Sequence, residues 1–150
     1  MRRSELREHV FCALFCLGFY PENEREEQLE FYFQDINRQK QEEEEELVPS
    51  VEAKPKEREY IKERLCHIFD KLTELDKQID SVSVGWSISR MGKVDLTIIR
   101  LAYYEMLYDE SVPVKVAINE AVELAKKFGG ESSQSFVNGI LAKLTTGLEV

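Results

Sequence analysis

The chain is short of most things that mark an enzyme, a secreted protein or a membrane protein. In 150 residues it has two histidines, three cysteines, one tryptophan and four prolines. His9 and His67 stand in no recognisable arrangement with a nucleophile and a carboxylate, so no acyl-transfer triad can be assembled. A glycine-rich phosphate loop is also missing. Gly129-Gly130 follows no strand pattern and precedes no Lys-Ser or Lys-Thr pair. Three cysteines cannot pair evenly, and neither C-x2-C nor H-x3-H spacing occurs. Cys12 and Cys16 lie one helical turn apart among apolar residues, and with Cys66 they read as reduced, buried thiols. No metal and no cofactor is expected. Carboxylates are plentiful, but glutamate is the usual filler of exposed helix surface. Catalysis has no residues to rest on, and a non-enzymatic protein is expected.

Long apolar runs are absent too. None approaches the roughly 18 residues that a membrane-spanning helix needs, so no membrane role is expected. Arg2 and Arg3 precede an apolar stretch, Val10 to Tyr20, in the manner of a secretion signal. Glu5, Arg7, Glu8 and His9 interrupt it, and no small-x-small cleavage site follows. The stretch is therefore expected to be the first helix of a cytoplasmic protein. Alternation of period two is missing throughout, which leaves no signal for strands.

What is present is charge, and it is unevenly placed. The formal net charge is -9 at pH 7. Residues 1–20 hold three arginines against two glutamates, 21–59 hold six basic and fourteen acidic side chains, and 60–150 hold eleven basic and thirteen acidic. Nearly all the excess negative charge thus lies in the second of these stretches. A basic end can still meet phosphates, because charges more than about 10 Å apart are largely screened at moderate salt.

Helical periodicity runs through the rest. Leu6, Val10, Ala13, Leu14 and Leu17 recur on one face, with Ser4 as a candidate N-cap and Gly18 and Pro21 as stops. A second helix is expected from about Glu24, burying Leu29, Tyr32, Phe33 and Ile36, and fading into the run Glu42 to Glu46. Five adjacent like charges gain nothing from burial, so that run is expected to be solvated. Val48 to Pro55 reads as an exposed linker, with Pro55 suited to a first helical turn. A third helix from Lys56 to Leu72 would bury Tyr60, Ile61, Leu65, Ile68 and Phe69. A fourth segment, Thr73 to Val84, would turn Leu75 and Ile79 inward, with a turn at Gly85-Trp86-Ser87. From Val94 to Tyr108 the helix is apolar over most of its circumference, which belongs at a bundle's centre. The next helix, from Val112-Pro113 to Phe128, carries Ala117, Ala121 and Ala125 at four-residue steps. Gly129-Gly130 ends it, Ser132 or Ser133 can cap the last, and that helix runs to about Leu144.

Arg2, Arg3 and Arg7 cluster at the first turns of the first helix, with Arg3 and Arg7 one turn apart. Guanidinium groups bind phosphate bidentately and stack on bases, which suits single-stranded RNA. Short basic termini are common and simply solvated, and from these residues alone that is the more ordinary reading.

The C-terminal third is more specific. Gly92-Lys93-Val94-Asp95 leads into Ile99-Arg100-Leu101-Ala102-Tyr103-Tyr104-Glu105-Met106. Lys115 to Phe128 and Gly129 follow, then Phe136-Val137-Asn138-Gly139-Ile140-Leu141. This order and spacing resembles the NusB family of transcription antitermination proteins over about fifty residues. The pattern includes an expected polar core of Asn119, Glu120 and Asn138 and a Gly-Gly break. Arg7-Glu8 followed by Ala13-Leu14-Phe15 is similar to the family's start, whereas residues 21–88 agree only in helical character. Asn119 or Asn138, if buried, would satisfy backbone groups of a neighbour; Gly139 would let another backbone approach; Asp95 and Arg100 are candidates for ion pairs within the bundle.

The resemblance implies an all-α fold, a compact bundle of about seven helices in two small helical subdomains. All 150 residues would form a single RNA-binding domain with an acidic exposed segment at about 40–55. It implies binding to the boxA segment of ribosomal RNA transcripts, together with the small-subunit ribosomal protein that acts as NusE, and loading onto the RNA polymerase antitermination complex. Carried over by residue, the RNA face would use Arg3 and Arg7, helped by Arg2, with Phe128 and the loop Gly129, Gly130, Glu131, Ser132 and Ser133 beside them. Asp95 would contact the RNA or the protein partner. Ser4 and Glu5 interrupt what is often a denser arginine run, which shifts weight onto the protein partner. Two rival classes are a helical module that self-associates as a homodimer, and an RNA-targeting partner of an RNA cytosine methyltransferase. The latter could act only in trans, since no cofactor-binding domain is present in the 150 residues.

Overall fold

The computed structural model describes residues 1–42, 52–83, 85, 87–146 and 148, with the side chains of 35–42 excepted. The acidic run and the start of the linker, residues 43–51, lie outside the described residues, as does Trp86. Six α-helices, one 3-10 turn and no strand occur among those described. They divide into two compact units, Met1–His67 and Ile68–Val150.

In the first unit, helix α1 (Arg3–Leu17) starts from Arg2, whose backbone is extended. The Glu5 carboxylate reaches back to accept the Arg2 N–H at 2.8 Å. The cap is therefore the Arg2–Glu5 pair rather than Ser4, because a carboxylate three residues in is placed to return to the capping N–H. His9 to Leu14 and Leu17 are buried. Gly18 ends the helix by donating its N–H to the Leu14 carbonyl at 3.0 Å. Helix α2 (Glu22–Glu42) follows and packs on α1. Its Leu29 is buried, and the Tyr32 hydroxyl lies 3.3 Å from His9 Nδ1 and 3.4 Å from the His9 carbonyl oxygen. His9 is sealed from water, so the phenol supplies hydrogen bonding that solvent cannot. Burial pushes the Tyr32 phenol well up, with the Cys12, Cys16 and Glu8 side chains adding to the effect, and it stays a donor. Ile36, expected on the same stripe, lies outside the described side chains.

Helix α3 (Pro55–Val82) corrects the expectation of two separate segments. Ile61, Leu65, Ile68, Leu75 and Ile79 are all buried in one unbroken stripe with no breaker at Leu72-Thr73. A continuous phase gives the chain no reason to stop, and seven expected helices become six. Two neighbouring positions also differ from expectation. Tyr60 is exposed and Phe69 only half-buried, since residues adjacent to Ile61 and Ile68 point about 100° away from them. Cys66 is exposed for the same reason. In the linker, Ala53 is buried rather than solvated, and its carbonyl accepts a bond from Arg58 Nε at 3.1 Å.

The second unit contains the rest of α3, a 3-10 turn (Ile88–Arg90), α4 (Lys93–Tyr108), α5 (Val114–Phe128) and α6 (Ser133–Thr145). Gly85, at φ +80°, makes the turn after α3. Every residue of α4 from Leu96 to Glu105 is buried except Arg100. Helices α5 and α6 both pack on α4 and on each other. The small face of α5, Ala117, Ala121 and Ala125, is buried and permits this close approach. Asn119 and Asn138 are exposed and Glu120 only half-buried, so the expected polar core is not formed. A Cβ at Gly139 would meet nothing within 4 Å, so no backbone approaches it. Arg100 forms an ion pair within the bundle, as expected, with Asp76 of α3 through two bonds of 2.7 Å each.

That fork fastens α4 to α3 while remaining partly wet, with the two side chains 19% and 26% exposed. Bidentate geometry strengthens it and solvent screening limits it. Asp76→Asn is expected to lower unfolding stability by about 1 kcal/mol in urea denaturation. No change would show that the pair contributes only register.

Candidate functional site

The residues singled out by sequence fall into two groups, one in each unit. Arg2 and Arg3 are exposed at the start of α1, and Arg7 is half-buried one turn on. Helical periodicity places Arg3 and Arg7 on one face, so the structure gathers the three cations at one helix end. Glu5 does not simply neutralise them. Its carboxylate is held at the Arg2 N–H and lies 3.4 Å from Arg2 Nε. The Arg2 backbone bond, then the Arg2 charge, hold the Glu5 carboxyl below its ordinary value, so it remains an anion engaged in capping.

The second group forms one turn between α5 and α6. Phe128 is half-buried at the end of α5, with Lys127 Nζ 5.3 Å from its ring centroid. Gly129 follows, its N–H donated to the Ala125 carbonyl at 2.9 Å. Gly130, Glu131 and Ser132 are exposed, whereas Ser133 is buried and its hydroxyl accepts the Gly130 N–H at 2.9 Å. That bond folds the turn tightly back onto α6. Asp95 sits half-buried in the first turn of α4 in the same unit. Sequence reasoning passed over Lys126 and Lys127, both exposed in the last turn of α5. Cations there also complement the helix dipole. Counting charge turn by turn, rather than over three long stretches, would have found them.

Among the described residues no group of three or more His, Cys, Asp or Glu side chains is placed to hold a metal ion, and no helix is long and apolar enough to cross a membrane.

A family model described as the NusB family matches residues 4–146. The chain belongs to the NusB family. It is 49% identical over 144 residues to the transcription antitermination protein NusB of Lachnoclostridium phytofermentans, covering 96% of this chain and 98% of that one. To the protein of the same name from Agathobacter rectalis it is 46% identical, covering 95% and 98%. The solved structure of T. maritima NusB superposes with a TM-score of 0.68 at 32% identity, over 97% of this chain and 92% of that one. The NusB resemblance seen in the C-terminal third therefore extends across both units, including the middle that agreed only in helical character.

The turn itself yields a test. A Cβ on Gly129 would lie 2.5 Å from Ser133 Cβ and Oγ and 2.8 Å from the Ala125 carbonyl oxygen, whereas one on Gly130 would meet nothing within 4 Å. Gly129→Ala is expected to cost about 1–3 kcal/mol of unfolding stability, as overpacking does. Gly130→Ala is expected to stay within about 0.5 kcal/mol. Equal effects in urea denaturation would show that the turn relaxes and does not depend on close approach.

Proposed function

We propose that this chain is a cytoplasmic, non-catalytic transcription antitermination factor. It binds single-stranded boxA RNA together with NusE and carries it to the RNA polymerase antitermination complex. The observation that carries this reading is the gathering of Arg2, Arg3 and Arg7 at the first turns of α1 in a chain whose net charge is -9. Membership in the NusB family supports it.

Guanidinium forks match phosphate oxygens in a way lysine point charges do not, and they also stack on unpaired bases. In this reading Arg3 and Arg7 hold phosphates and Arg2 assists. Phe128 offers ring surface to a base, and the exposed backbone of Gly129 and Gly130 with the Ser132 hydroxyl offers hydrogen bonds. Ser133 acts by holding the shape of the turn. Lys126 and Lys127 add charge to that side. Asp95 meets the protein partner, whose contribution offsets the interrupted arginine run. In this reading the two compact units are taken as the two helical subdomains expected of the family, an assignment their separate packing supports.

Reversing two of the cations tests this directly. Arg3→Glu combined with Arg7→Glu is expected to weaken boxA binding, with NusE present, by about tenfold or more at low salt. It should also flatten the salt dependence by roughly 1.4 in slope, as loss of two single-strand phosphate contacts requires. Helical circular dichroism should be unchanged. Equal affinity for the two proteins across a salt series would remove the arginines from the RNA face.

A further inference from the structure

Glu57 links two helix ends within the first unit. Its carboxylate accepts the Lys54 N–H at 2.8 Å at the start of α3, and its Oε2 lies 3.2 Å from the Met1 nitrogen at the start of α1. The Met1–Glu57 contact brings the start of α1 near the start of α3, and Arg2, Arg3, Lys54 and Lys56 are all exposed. From Lys56 the same face of α3 continues at four-residue steps to Tyr60 and Arg64, a run of about 12 Å. Tyr60 is 41% exposed, so its ring lies at the surface of α3. Arg64 Nη2 donates to the Tyr60 hydroxyl at 2.7 Å, and its guanidinium carbon lies 5.3 Å from the ring centroid. Ring and cation are thus presented together rather than as two loose side chains.

Several carboxylates surround the stripe. Glu57 is occupied at the two helix ends. Glu26 is paired with Lys62 at 3.3 Å, and Glu52 faces Arg58 at 4.0 Å. Glu59 and Glu63 are exposed on the flank of α3, about 100° and 60° round the helix from Tyr60. They limit the field of the stripe to one side.

We propose that Lys56, Tyr60 and Arg64 form a second, sequence-indifferent subsite for single-stranded RNA, continuing the path that begins at the arginines of α1. A base stacks beside Tyr60, and Lys56 and Arg64 hold the flanking phosphates. Alternating cations and an exposed ring are what single-strand binding uses, because every base has a π-face and every nucleotide a phosphate. An acidic peptide would meet the cations but gain little from the ring, and that difference favours RNA. The subsite rests on the RNA reading of α1, and the following experiment separates the two.

Fluorescence anisotropy with the full chain in the presence of NusE would compare a short boxA RNA, the same RNA carrying an oligouridine tail, and oligouridine alone. The tail is expected to tighten binding, and Tyr60→Ala is expected to erase that gain, by about fivefold or more, while leaving the short RNA unaffected. Tyr60→Phe keeps the ring and should retain the gain; Lys56→Gln should lose part of it. A tail that adds nothing, or a gain that survives Tyr60→Ala, would overturn the subsite while leaving the arginine face standing. An oligoglutamate peptide that displaces oligouridine as well as unlabelled RNA does would overturn it too, in favour of a general anion surface. Should the short boxA RNA fail to bind, the arginine reading falls. The subsite is then decided by whether oligouridine binding still depends on Tyr60.

Discussion

Helix α4 has almost no face to give to water. Nine of the ten residues from Leu96 to Glu105 are buried, and one neighbouring helix cannot cover such a circumference. Burying a side chain such as Ile98 or Ile99 contributes about 1.5–3 kcal/mol, so the second unit is stable only if α5 and α6 both close over α4. The alanine steps of α5 bring that helix close, and Val137, Ile140, Leu141 and Leu144 of α6 complete the cover. The connection between two helices held this way has little freedom. Gly129 accepts the tight return because it has no Cβ, and Ser133 fixes the return by taking up the Gly130 N–H. The exposed segment that results, from Gly130 to Ser132, is a consequence of how α4 is buried.

The first unit solves a different problem, the placement of cations in a chain with excess acid. Two of its carboxylates are used as helix caps: Glu5 on the Arg2 N–H and Glu57 on the Lys54 N–H. The Lys54 bond and then the amino group of Met1 hold Glu57 below its ordinary carboxyl value, as the Arg2 bond does Glu5. Both groups have depressed values in the folded chain. Their contribution is therefore complete above about pH 4.5 and is lost as pH falls through the lowered folded values. At neutral pH the caps are formed, and the arginines and lysines beside them remain on the surface.

Much of this was legible in the sequence, for a physical reason. The apolar run of α4, the alanine spacing of α5 and the Gly-Gly break each specify geometry over a few turns, where periodicity is reliable. Failures came where orientation mattered more than presence. Leu72-Thr73 looked like a boundary although the stripe passed through it in phase. Tyr60 and Ile61 are both expected inward, yet consecutive residues point about 100° apart and α3 buries only Ile61 of the two. Asn119 was given to a polar core, whereas two positions from Ala117 it lies about 200° round the helix, opposite the buried face. The Glu57–Met1 contact had no sequence signal at all, since it joins residues far apart in the chain. The arginine cluster was visible; the approach of the start of α1 to the start of α3 required the fold.

Two groups are proposed to contact RNA, each within its own unit: the basic residues at the start of α1, and the short turn set by α4, α5 and α6. The most direct measurement is photocrosslinking of boxA RNA substituted with 4-thiouridine to the full chain in the presence of NusE, with adducts located by peptide mass spectrometry. Adducts are expected both in the peptide bearing Arg2, Arg3 and Arg7 and in the peptide spanning Phe128 to Ser133. Absence of adducts from the arginine peptide would contradict RNA binding at the start of α1, and absence from the turn would remove the turn from RNA contact.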